Sequence, residues 1–150
     1  MPTIYVDADA CPVKDDIFRI AKRYDLKVIV VANAFMNLPR FDWIESIVVG
    51  SEFDAVDDWI AGKCSEGDIV VTNDLLLAAR CLEKQSRVID PRGHVVDSDN
   101  IGEKLAMREL NLELRQRGAM NLGPTKMLKN HRSNFLAAFD ELINRVRRGK

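Results

Sequence analysis

Apolar positions fall in short blocks along the first hundred residues, and their period switches repeatedly between that of a strand and that of a helix. Thr3–Asp7 (TIYVD) is a β-branched run that reads as a strand. Pro12 follows at a position suited to a first helical turn, and Val13, Ile17, Ile20, Ala21 and Tyr24 recur at helical spacing, which predicts a helix over Val13–Tyr24. Lys27–Ala32 (KVIVVA) is apolar without alternation, as in a strand covered on both faces. A loop over Asn33–Asp42 holds Pro39, and Trp43–Gly50 contains another short strand. Asp54–Cys64 reads as a helix opened by acids that suit its N-terminal dipole. Asp68–Thr72 is a strand, Asp74–Lys84 a helix, and Arg87–Asp90 a strand closed by Pro91 and Gly93. This alternation predicts a three-layer α/β/α sandwich on a mainly parallel sheet.

After residue 98 the rhythm changes. Ile101–Arg117 reads as a charged helix and Gly118–Asn130 as a loop. His131–Arg148 reads as a helix with Phe135, Leu136, Phe139, Leu142, Ile143 and Val146 on one face. Both helices are expected to pack onto the core of one domain spanning residues 1–150.

Composition narrows the function. With 150 residues, 47% hydrophobic and 30% charged, the chain has the balance of a globular domain and not of a disordered chain or disulfide scaffold. A chain of this length buries roughly 70% of its unfolded surface without needing a staple. No apolar run reaches the length of a membrane span, and the N-terminus is acidic where a signal peptide is basic, so a cytoplasmic protein is expected. Cys11, Cys64 and Cys81 form no CxxC pair and read as reduced thiols, Cys11 as a packing residue. His94 and His131 have no triad partner in view.

Charge is divided unevenly. Residues 101–150 carry 11 Lys and Arg against 5 Asp and Glu, whereas residues 1–100 carry 11 against 18. Such a split suits a protein that holds cations on one part and a polyanion with another, although a basic tail is equally a solvated helix.

The acids fall where a parallel sheet places ligands, beyond the carboxyl ends of strands. Asp7 ends the first strand with Asp9 two residues on. Thr72-Asn73-Asp74 follows a later strand, and Asp54, Asp57 and Asp58 open the helix between. Converging carboxylates repel unless a cation separates them, and hard oxygen donors suit Mg²⁺ or Mn²⁺. Asp57 and Asp58 also read as helix-start acids, Asp74 as an N-cap, and Asp90 before Pro91 as a turn residue. Asp7 has no such structural reading. Around the last helix, Lys126, Lys129, Arg132 and Ser133 are candidates to hold a substrate phosphate, with Arg132 equally suited to pair with an acid. Aromatics, at 7%, do not interleave with these cations, so sequence-specific reading of a single strand is not expected.

Three segments carry a resemblance: VDADACPVK (residues 6–14), the apolar run into Thr-Asn-Asp (residues 69–74) and GPTKMLKNHRSNF (residues 123–135). Together they resemble the YaiI/YqxD family of small bacterial proteins, and through it PIN-like domains, most of which are metal-dependent nucleases. The resemblance implies that Asp7 is the first PIN acid, that the second lies among Asp54, Asp57 and Asp58, and that Asp74 is the third, with Asp90 a loose fourth. It departs in offering Asp where the second acid is usually Glu. The expected activity is a divalent-metal-dependent phosphodiesterase acting on RNA, with Asp7, Asp9, Asp57, Asp58 and Asp74 around the ions. Two alternatives remain. Asp7-Ala8-Asp9 also resembles the DxD opening of haloacid-dehalogenase phosphatases, in which the first Asp is a nucleophile. A PIN-like domain can also bind RNA or a protein without cutting.

Overall fold

The computed structural model describes residues 2–8, 12–52, 54–118 and 129–149. The elements are β1 (Thr3–Asp7), α1 (Lys14–Tyr24), β2 (Lys27–Ala32), β3 (Ile44–Val48), α2 (Ala55–Lys63), β4 (Ile69–Val71), α3 (Leu75–Glu83), β5 (Arg87–Ile89), β6 (Val95–Val96), α4 (Ile101–Gln116) and α5 (Lys129–Arg147). They form one six-stranded sheet in the order β3-β2-β1-β4-β5-β6. All neighbouring strands are parallel except β5 and β6. Among the described residues no helix is long and apolar enough to cross a membrane.

Side-chain alternation along the strands sorts the core into two layers. Ile4, Val6, Val28, Val30, Ile69, Val71 and Ile89 face α1 and α5. Tyr5, Ile29, Val31, Val70 and Val88 face α2 and α3. The expected three-layer sandwich is therefore present, with every central strand buried on both faces. α5 enters the first layer through Phe135, Phe139, Leu142 and Ile143. It is fixed to α1 by Tyr24 Oη donating to Asp140 Oδ1 and by Asn144 Nδ2 donating to Tyr24 Oη (3.2 Å).

Three details differ from the sequence reading. Pro12 is exposed and lies before the helix, whose first turn starts at Lys14. The two-residue antiparallel β6 was not expected. It folds back because Asp90 Oδ1 accepts from the backbone N–H of Arg92 (2.8 Å) and His94 (3.0 Å), which sets the turn. The larger correction concerns α4. It was expected to pack onto the core, yet none of its residues is buried. Ile101 packs against the second layer, but Leu105, Met107, Leu110, Leu112 and Leu114 are spread around the helix and give it no single face to sink, so it rests on α3 from outside.

Gly93 makes the β5–β6 turn possible. Its φ of +94° is one that side chains rarely adopt, and a Cβ there would lie 2.7 Å from the backbone of Asn134 in α5. Gly93→Ala is therefore expected to destabilise the fold by about 2–4 kcal/mol, since backbone of α5 must move to admit it. Urea titration of the two proteins measures this, and an unchanged midpoint would contradict the close approach.

Candidate active site at the carboxyl ends of β1 and β4

The chain leaves β1 for β2 and β3 on one side, then crosses to β4, β5 and β6 on the other. Such a reversal opens a crevice beyond the carboxyl ends of the two strands where it occurs, here β1 and β4. Asp7 is the last residue of β1. By alternation it shares the face of Tyr5, the side covered by α2 and α3. Asp57 stands in the first turn of α2, and Asp74 is the N-cap of α3. Strand parity and two helix starts thus bring three carboxylates to one cavity of about 530 Å³, also lined by Asn33, Glu52, Asp54, Asn73 and Arg108.

Each acid is partly committed. Asp7 is buried, and its Oδ2 accepts a hydrogen bond from Thr72 Oγ1 (2.9 Å). The same hydroxyl accepts from the backbone N–H of Asp74 (3.0 Å), so Thr72 ties the end of β1 to the start of α3. Asp74 Oδ1 accepts from the N–H groups of Leu76 (2.9 Å) and Leu77 (3.2 Å), which is the capping role the sequence left open. These bonds fix both side chains in orientation. Asp54, at the N-cap of α2, adopts a left-handed backbone (φ 65°) at the rim. Buried Asp68 shows the contrast. At the opposite, amino end of the strands it accepts from Thr3 N, Ser65 N and Ser65 Oγ, each at 3.0 Å, and is a purely structural acid.

Asp57 records the crowding. Burial is the main cause that raises its carboxyl, followed by repulsion from Asp74 and Asp7, a hydrogen bond with Asp74 and repulsion from Asp54, to a pKa of about 7. The sign follows from linkage. A carboxyl whose folded pKa lies above its unfolded value favours folding fully below pH 3.8, and that contribution is lost as pH rises through about 7. In chelator, the protein is therefore expected to lose about 1–3 kcal/mol between pH 4 and 8 from this group, allowing for solvent screening. Asp57→Asn should flatten that loss in thermal melts across the range, and an identical pH profile for the variant would contradict it.

The remaining expected residues are placed elsewhere. Asp58 departs from the set, because neighbouring helical residues point about 100° apart. It pairs instead with Arg80 of α3 at 2.8 Å. Arg132 donates through Nε and Nη2 to buried Asp16 of α1 (2.7 and 2.8 Å), the ion-pair alternative to a phosphate contact. Ser133 is exposed on α5, and neither residue lines the carboxylate cavity. Asp9, Cys11 and Lys126 lie outside the described residues, as does the side chain of Lys129. Cys64 and Cys81 are buried and unbridged.

The sequence reading missed Arg108, which reaches this cavity from α4. The signal was available in the helical spacing of Lys104, Arg108, Asn111 and Arg115, and it went unused because α4 was expected to serve the core.

The donors suit a hard cation in kind, being carboxylate oxygens with side-chain amides near them. Among the described residues no three His, Cys, Asp or Glu side chains form a ready cage for an ion. The chemistry of the donors, hard oxygens, is of the kind that Mg²⁺ and Mn²⁺ take together with water.

Comparison with known proteins gives a consistent relationship. No solved structure matches the chain significantly. A UPF0178 protein of Gluconobacter oxydans is 48% identical over 145 residues, covering 97% of this chain and 83% of its own. A UPF0178 protein of Rhodospirillum centenum is 47% identical over 154 residues and the full length of both. One from Bradyrhizobium diazoefficiens is 46% identical over 97% of this chain and 87% of its own. The family described as "Uncharacterized BCR, YaiI/YqxD family" matches residues 5–145, and the chain belongs to it.

Proposed function

We propose that the protein is a divalent-metal-dependent phosphodiesterase acting on RNA, of the PIN-like kind, with its centre at the β1–β4 crevice. The observation that carries this reading is the convergence of Asp7, Asp57 and Asp74 on one cavity from three separate elements, with Asp57 pushed up to about 7. Asp7 and Asp74 are the principal metal ligands in this reading and Asp57 the third carboxylate. Asp9 stays a proposed member of the group. When bound, the Mg²⁺ or Mn²⁺ ion supplies a nucleophilic water at neutral pH and neutralises charge on the phosphate. The chain does the rest. Thr72 holds Asp7 in orientation, the α3 N-terminus holds Asp74, and Arg108 offers donors to non-bridging phosphate oxygens.

The test is cleavage of end-labelled single-stranded RNA with Mn²⁺, with Mg²⁺ and with chelator. Cleavage that needs the metal and disappears in Asp7→Asn is expected. Cutting that survives chelator, or none under any condition, contradicts the reading. A burst of phosphate from a small phosphomonoester with RNA left intact would instead support the aspartyl-phosphate alternative.

A further inference from the structure

A second cavity, of about 850 Å³, runs between α4 and the edge formed by α3, β5 and β6. It joins the carboxylate cavity through shared walls at Asn73, Asp74, Leu75 and Arg108. Lys104, Arg108, Asn111 and Arg115 recur at i, i+4, i+7 and i+11 along α4, and all four line this groove. They form one stripe about 16 Å long, the reach of roughly four to five stacked nucleotides. Arg92 faces the stripe from the β5–β6 turn.

None of Lys104, Arg108, Arg115 and Arg92 forms an ion pair among the described residues, which leaves their charge uncommitted, as it is for other surface cations such as Arg19 and Arg40. The groove also holds two carboxylates besides Asp74. Glu103 is one, and Asp90 is occupied by two backbone N–H groups and by His94 Nδ1 at 3.3 Å. Two large apolar residues lie among the cations on α4, Met107 at 51% exposure and Leu112 at 39%.

We propose that this groove is the track for a single-stranded polynucleotide, gripped by Lys104, Arg108 and Arg115, that leads a phosphodiester to Asp7, Asp57 and Asp74. The proposal rests on the phosphodiesterase reading for what happens at the end of the track, but not for the binding itself. Cations at helical spacing, with no ion pair among the described residues, complement a row of phosphates. Exposed Met107 and Leu112 distinguish the strand type. A duplex keeps its base faces stacked inside and shows backbone and base edges, whereas a single strand offers base faces that bury apolar side chains. No Phe, Tyr or Trp lines the groove, so the grip falls on the phosphates, which carry no base sequence. α4 also gains its reason for carrying no buried residue: its groove-facing side is a binding surface.

The experiment is anisotropy of a labelled single-stranded RNA 12-mer in chelator, where no cutting occurs, over a range of salt. Wild type is compared with Lys104→Ala/Arg108→Ala/Arg115→Ala and with Arg147→Ala/Arg148→Ala on α5. The triple variant is expected to bind at least tenfold more weakly, with a salt slope reduced by about two, at roughly 0.7 per phosphate contact. The α5 variant is expected to match wild type. Thermal melting checks folding, and if the triple variant is unfolded, Arg115→Ala alone decides through a slope change of about 0.7. Absence of binding by wild type, unchanged binding by the groove variants, or equal affinity for duplex RNA overturns the proposal. The two readings separate in Mn²⁺. Groove variants that bind normally while Asp7→Asn stops cleavage remove the track and keep the nuclease. Groove variants that lose binding when wild type never cuts keep the track and remove the nuclease.

Discussion

Asp7→Asn is expected to lower metal-dependent RNA cleavage at least about a hundredfold while leaving the fold intact. A hundredfold is about 2.7 kcal/mol of transition-state stabilisation, a modest demand on one proposed charged ligand among clustered carboxylates. The side chain is buried at the end of β1, where an ionised group is retained only if something compensates it. Asparagine keeps an oxygen to accept from Thr72 Oγ1, so the tie between β1 and α3 survives. It removes one of the charges that repel Asp57, so the metal-free variant should be at least as stable as wild type near pH 8. Loss of activity combined with unchanged or raised Tm separates a functional acid from a structural one. Loss of both would make Asp7 a packing residue. Retention of full cleavage would falsify its assignment as a ligand.

Phe139→Ala is expected to cost about 3–5 kcal/mol, a large share of the 5–15 kcal/mol that holds a domain together. Phe139 is fully buried and stacks on Phe135 at 5.1 Å between ring centroids, joining α5 to the layer shared with α1. Its deletion opens a cavity that close-packed neighbours only partly fill, and it loosens the helix that Tyr24, Asp140 and Asn144 pin to α1. The denaturant midpoint should fall sharply, with Phe139→Leu falling much less. Equal effects of Ala and Leu would mean that α5 is not part of the core. No residue of α4 is buried, so Met107→Ala should leave stability within about 0.5 kcal/mol of wild type.

The difference between α5 and α4 shows what the sequence made legible. In α5 the apolar residues sit on one stripe, and the stripe is buried as expected. In α4 the apolar residues point in several directions, and a charged helix without one apolar stripe stays outside the core. β2 was readable because an uninterrupted KVIVVA block has only one comfortable environment, between two layers. β6 was not, because two residues carry no period and the strand exists only through the Asp90 turn. The placement of Asp7 and Asp74 followed from strand ends. That of Asp57 rather than Asp58 needed the rotation of α2 about its axis. The Asp16–Arg132 pair spans 116 positions, and no local signal announces it.

The central claim is that the carboxylates at the β1–β4 crevice hold a divalent cation. Titration of Mn²⁺ into wild type and Asp7→Asn, followed by the electron paramagnetic resonance of the unbound ion, tests it without any substrate. Saturable uptake by wild type that weakens at least tenfold in Asp7→Asn is the expected result. Equal uptake by both proteins, or none by wild type at millimolar Mn²⁺, would contradict the account.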